Sequence, residues 1–143
     1  MASARRTRQS GEDLRSNARE RALHVLYEAE AKGIAAQDVL AAQILAVDEM
    51  TVAIVSGVAA RAVAIDELIS EHATGWPLAR MPSIDRNVLR IGSYELLGRP
   101  EVPVAVVINE AVELAKTFST DESGRFVNGV LSAIAAVVRP DEK

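Results

Sequence analysis

From Glu12 to Val138 apolar residues return every three or four positions, and runs that alternate with period two are scarce. That spacing lines one face of an α-helix and constrains the chain more than any other feature. Leu14, Ala18, Ala22, Val25, Leu26 and Ala29 form the first stripe, and Gly33 offers a stop after it. Val39, Leu40, Ile44 and Leu45 predict a short helix over 35–46. Asp48 and Glu49 open a long third helix, with a stripe from Val52 to Ile69 and Gly75 beyond its end. Gly57, Ala59 and Ala60 thin that helix, so a neighbour can approach closely.

Two X-Pro pairs, Trp76-Pro77 and Met81-Pro82, then interrupt the pattern, because proline disfavours helix in the residue before it. Ser83 is placed to cap the next helix, with Asp85 in its first turn. Ile84, Val88, Ile91 and Glu95 follow one line of that helix, which Gly98 and Pro100 end. Pro103 suits a first helical position. The β-branched run Val102–Ile108 is compatible with a strand, but Asn109–Lys116 is strongly helical and decides the segment. Ser119 with Glu122 reads as a capping box for a last helix that stops before Pro140. Asn128-Gly129 is a hairpin dipeptide elsewhere. Within a 3.6-residue period Gly129 reads instead as a helix–helix contact point. The spacing predicts a mobile basic arm over 1–11 and one all-α domain over 12–140. Its halves meet at the proline breaks, at about 12–80 and 82–139.

Composition narrows the function. The 143 residues include no cysteine, which excludes disulfides, thiolate metal sites and cysteine nucleophiles. Phosphate-loop, dinucleotide and zinc-protease motifs are all missing. Glu110 and Glu113 share a helix face with no acid, base or ligand opposite them, so they read as solvated. His24 and His72 read as surface histidines, and the sequence offers no catalytic or metal site. Aromatic residues make up 3%, too few for a stacking-sheet RNA binder. No apolar run reaches the roughly 18 residues of a membrane span, and the start does not read as a secretory signal. The cytoplasm is the expected compartment.

Charge is uneven. Residues 1–21 hold six arginines against three acids, and the whole chain carries −4, so the remainder carries −7. Arg15 and Arg19 are four apart, with Arg21 beside them and Arg5, Arg6 and Arg8 before them. Such an edge can track phosphates or simply be solvated. Tyr27 can present its ring to a base or cover the core. Asp85-Arg86-x-x-x-Arg90, Glu122, Arg125 and Phe126 are each compatible with caps, surface charge and core edge.

Taken together, these segments resemble the NusB family of transcription antitermination factors. The resemblance is carried by Val102-Pro103-Val104 with Ile108-Asn109-Glu110-Ala111-Val112-Glu113-Leu114-Ala115-Lys116, and by Phe126-Val127-Asn128-Gly129-Val130-Leu131. Asp85-Arg86-x-x-Leu89-Arg90-Ile91-x-x-Tyr94-Glu95-Leu96 and Ala18-Arg19-Glu20-x-Ala22 leading to Leu26-Tyr27 add to it. It spans about residues 14–140; over 33–75 only the pattern matches.

The resemblance implies two small helical bundles, about seven helices, and no cofactor. It implies binding of a boxA-type single-stranded RNA together with the ribosomal protein NusE, within an RNA polymerase antitermination complex that holds other Nus factors. Self-association to a homodimer is known in the family. By matching motifs, Arg15, Arg19, Arg21, Tyr27 and Arg125 are the RNA-binding candidates. Asp85, Glu122 and Phe126 belong to the face shared by RNA and partner. The sequence departs from the family pattern at Ser16 and Asn17, which interrupt the basic run. Asp85 stands where Glu is familiar and Glu122 where Asp is. The rivals are a helical adaptor without RNA binding and an RNA-binding module related to an rRNA methyltransferase N-terminal domain.

Overall fold

A computed structural model describes residues 11–43 and 46–142, and among these only helices, turns and loops occur. Seven α-helices follow in order: α1 Gly11–Lys32, α2 Ala36–Ala41, α3 Glu49–Ala60, α4 Ala62–His72, α5 Ser83–Gly98, α6 Val104–Phe118 and α7 Asp121–Val138. A single 3₁₀ turn, Leu78–Arg80, sits between the two proline pairs. The arm residues Arg5, Arg6 and Arg8, and Ile44 and Leu45 of the expected second helix, lie outside the described residues.

The apolar stripes become one continuous core. Leu23, Ile54, Ile65, Ile69, Leu89, Leu131 and Ile134 are fully buried in it. Helix α5 is the hub, packing against α1, α3, α4, α6 and α7, while α6 and α7 pair closely with each other. Truncating a fully buried aliphatic such as Leu89 to Ala costs about 2–5 kcal/mol, so this stripe carries much of the stability.

Local chemistry sets some of the helix ends. Gly33 has φ +66°, its N–H donates to Glu30 O, and the N–H of Ile34 donates to Ala29 O at 3.0 Å. This is the left-handed turn that satisfies the last carbonyls of α1. Asp48 caps α3 by accepting from the Thr51 N–H at 3.1 Å.

Several boundaries differ from expectation. The long third helix breaks at Arg61, whose backbone (φ −115°, ψ 22°) leaves the helical region and separates α3 from α4. Pro82, not Ser83, occupies the cap of α5, and the Ser83 hydroxyl instead donates to Glu30. Pro103 likewise sits at the cap of α6 rather than inside its first turn. At α7 the cap is Thr120, whose hydroxyl accepts from Ser123 N–H at 3.0 Å. The register shifts by one from the Ser119–Glu122 box.

Glycine roles are also redistributed. Gly57 is a close contact, since a methyl group there would overlap the Tyr94 ring. Gly92 faces Leu131 and Gly124 faces the Lys116 stem; a Cβ would fall 2.6 Å and 2.7 Å from them. Gly129, expected as a contact point, is exposed with nothing within 4 Å of a Cβ position. The helix–helix approach on α7 is one turn earlier, at Gly124.

Candidate nucleic-acid and partner interface

The three α1 arginines do not form one edge. At 100° per residue Arg21 lies about 200° around the helix from Arg19, and the structure sends them different ways. Arg19 turns inward and is 2% exposed. Its Nε donates to Glu95 Oε1 at 2.6 Å and its Nη2 to Oε2 at 3.1 Å, a bidentate pair, while Nη1 reaches Glu110 at 3.3 Å. Ser16 donates to the same Glu110 oxygen at 2.5 Å. Arg19 is therefore an interior clamp of α1 on α5 and α6, and Glu110 is its partner rather than a solvated acid. Arg21 donates to the Ala46 carbonyl at 3.0 Å and holds the segment before α3. Arg15 alone of the three is fully on the surface.

A second, half-buried network joins α1, α4 and α5. Glu30 accepts from Ser83, Arg86 and Arg90, and Arg90 also donates to both oxygens of Asp66. The Arg86 hydrogen bond outweighs the cost of burial and, helped by Ser83 and Arg90, holds the Glu30 carboxyl down from 4.5 to about 2. At the other end of α5, Arg139 donates to the carbonyls of Glu95, Leu96, Arg99 and Val102. Glu142 accepts from the first N–H of α6. No motif flagged these networks. The available signal was a charge continuing an apolar line, as Glu95 does after Ile84, Val88 and Ile91.

Asp85, Glu122 and Phe126 do come together. They line a cleft of about 250 Å³ with Trp76, Pro82, Ser119, Thr120 and Ser123, between the starts of α5 and α7. Trp76 and Phe126 stack with ring centroids 4.6 Å apart and tilted by 56°. Phe126 is half-buried, an edge residue rather than full core. Asp85 is 1% exposed, yet among the described residues no donor reaches either of its carboxylate oxygens. The positive end of α5 helps it stay, but a buried carboxylate without a hydrogen bond is costly. Nearly all such groups are satisfied in folded proteins, so Asp85 stands out as an exception. The Ser119, Thr120 and Ser123 hydroxyls bond to one another instead.

The remaining candidates do not line this cleft. Tyr27 is 44% exposed, one turn along α1 from His24, whose ring meets Phe118 edge-on at 5.0 Å. Arg125 lines a separate groove of about 320 Å³ with Lys116, Gly124 and Asn128. It is well exposed and only loosely paired with Glu122, at 3.7 Å. Among the described residues no group of three or more His, Cys, Asp or Glu could hold a metal ion. None of the described helices is long and apolar enough to cross a membrane.

The family model "NusB family" matches residues 16–136. The chain belongs to the NusB family. The transcription antitermination protein NusB of Saccharopolyspora erythraea is 54% identical over 129 residues, covering 86% of this chain and 87% of that one. Its counterpart in Streptomyces avermitilis is 48% identical, covering 84% and 90%. Among solved structures, T. maritima NusB superposes with a TM-score of 0.77 at 35% identity, covering 85% of this chain and 89% of that one. A crystal structure of the antitermination factors NusB and NusE in complex with double-stranded RNA matches with a TM-score of 0.74 at 28% identity. It covers 86% of this chain and 96% of that one. The all-α architecture of about seven helices implied by the family resemblance is thus the NusB fold.

Proposed function

We propose that this chain acts as a transcription antitermination factor that binds boxA-type single-stranded RNA jointly with NusE. One observation carries the reading: the Asp85 carboxylate, buried and without a donor among the described residues, lines a cleft with Trp76 and Phe126. Family membership and the neighbouring NusB–NusE–RNA complex support the choice of ligands. A cleft floored by carboxylate repels phosphate and accepts donors, so it suits the protein partner or base edges. Arg15 and Arg125, with Tyr27, supply the exposed charge and ring for RNA; Arg21 contributes charge at the flank. The arm with Arg5, Arg6 and Arg8 adds phosphate contacts.

The chain acts by binding, without catalysis and in the cytoplasm, as part of the polymerase antitermination complex. A homodimer is the competing use of the same face. The test is a fluorescence-anisotropy titration of a boxA oligonucleotide with and without purified NusE. Binding should be weak alone, because the body past residue 21 carries −7, and at least tenfold tighter with NusE. Equal affinity in both arms overturns the joint-binding reading.

A further inference from the structure

The cleft has one wall that no helix supplies. Trp76 and Pro82 lie on the irregular stretch between α4 and α5, around the 3₁₀ turn. Arg86 fastens that stretch. Its Nη1 donates to the carbonyl of Leu78, the first residue of the turn, at 3.0 Å and to that of Met81, just after it, at 2.7 Å. Its Nε donates to Glu30 Oε2 at 2.9 Å, and Nη2 bonds Glu30 Oε1. One guanidinium therefore ties a loop to a carboxylate in the last turn of α1, three residues before the left-handed Gly33.

We infer that Arg86, oriented by Glu30, is a positioning residue for the partner cleft: it sets where Trp76 stands over Phe126 and Asp85. The inference rests on the binding role proposed for that cleft. Its physical basis is donor geometry. Guanidinium has a rigid planar fork with five N–H donors, enough to serve a carboxylate edge and two carbonyls at once. An ammonium at this position keeps the charge but loses that fork. Arg90 provides the internal comparison. It shares the Glu30 carboxylate and pairs with Asp66, but its bonds go to neither loop carbonyl.

Trp76 is the single tryptophan of the chain, so its emission reports on this wall without a label. The experiment compares wild type, Arg86→Lys, Arg90→Lys and Phe126→Ala by Trp emission and acrylamide quenching, thermal melting, and affinity for NusE with a boxA oligonucleotide. Arg86→Lys should red-shift and expose Trp76 while melting stays cooperative, and should weaken the complex about tenfold. Arg90→Lys should lower the melting temperature while leaving emission and affinity at wild-type values. Equal emission changes and equal affinity losses in both Lys variants would show a generic structural role and overturn the inference. Wild-type emission and affinity in Arg86→Lys would overturn it as well. If Phe126→Ala binds as tightly as wild type, the cleft is not the partner face and the functional part of the inference falls with it. If Phe126→Ala fails to bind but Arg86→Lys binds normally, the face stands and only the positioning role is lost.

Discussion

Two buried charges in this protein have opposite surroundings. Arg19 is enclosed by Glu95, Glu110 and, through Glu110, Ser16, so each of its nitrogens that faces a carboxylate is answered. Asp85 is equally enclosed and answered by nothing among the described residues. The contrast separates architecture from function. A buried charge whose partner lies in the same chain holds helices in register. A buried charge left open at a cleft adds nothing to that register, and the binding role proposed for Asp85 rests on it.

The largest effect should come from breaking the closed pair. Arg19→Met leaves Glu95 buried without its counter-charge, which costs about 3–5 kcal/mol. Thermal unfolding followed by circular dichroism should shift down by roughly 10 °C or more. The double variant Arg19→Met/Glu95→Met removes both charges and should recover most of the loss. If Arg19→Met melts like wild type, Arg19 is not an interior clamp.

The open charge should behave the other way. Asp85→Asn leaves melting within about 1 kcal/mol of wild type, since it removes an unsatisfied carboxylate. It should weaken the NusE–RNA complex by about tenfold or more, because a charge-assisted hydrogen bond is lost. A strongly destabilised Asp85→Asn with intact binding would reverse the comparison and make Asp85 structural.

Acid separates the networks further. The folded Glu30 carboxyl sits at about 2, against 4.5 when free of its partners. Its contribution is therefore complete above about pH 4.5 and is lost as pH falls toward 2. With allowance for partial solvent screening it is worth about 2 kcal/mol. Urea midpoints of wild type and Glu30→Gln should differ at pH 7 and converge near pH 2; parallel curves would remove Glu30 from the account.

The smallest effect tests the glycine assignments. Gly129→Ala should stabilise α7 by up to about 1 kcal/mol, because the position is mid-helix and a Cβ meets nothing. Gly92→Ala should destabilise, since the new carbon would press on Leu131. Denaturant titrations of the two variants should move in opposite directions.

The approximate positions of most helices were legible in the sequence, because amphipathic spacing and X-Pro breaks act over a few residues; the count of about seven came from the family resemblance. Helix register at the caps was less legible. Ser83, Ser119 and Thr120 are equally good cap residues on paper, and the hydroxyl that faces a free N–H is set by chain path. The α3–α4 break at Arg61 carries no Pro or Gly, so nothing local announced it.

For the site, Asp85, Glu122 and Phe126 were read as one face and do share one cleft. Trp76 was read only as a break, and its place in that cleft depends on a loop folding back over α5 and α7. The arginines were misjudged as a group, since a run of like charges in sequence says nothing about which of them meets a carboxylate 76 residues away.

Sequence alone determined the all-α class, the apolar stripes that close one core, and membership of the NusB family. These depend on short-range periodicity and on motifs whose residues are adjacent. Only the tertiary structure decided which charges are closed and which are open. Arg19 faces the interior because α5 and α6 bring Glu95 and Glu110 beneath it, and Asp85 stays unanswered because the starts of α5 and α7 meet around a cleft. Whether a buried charge holds helices together depends on what long-range packing places within about 3 Å of it.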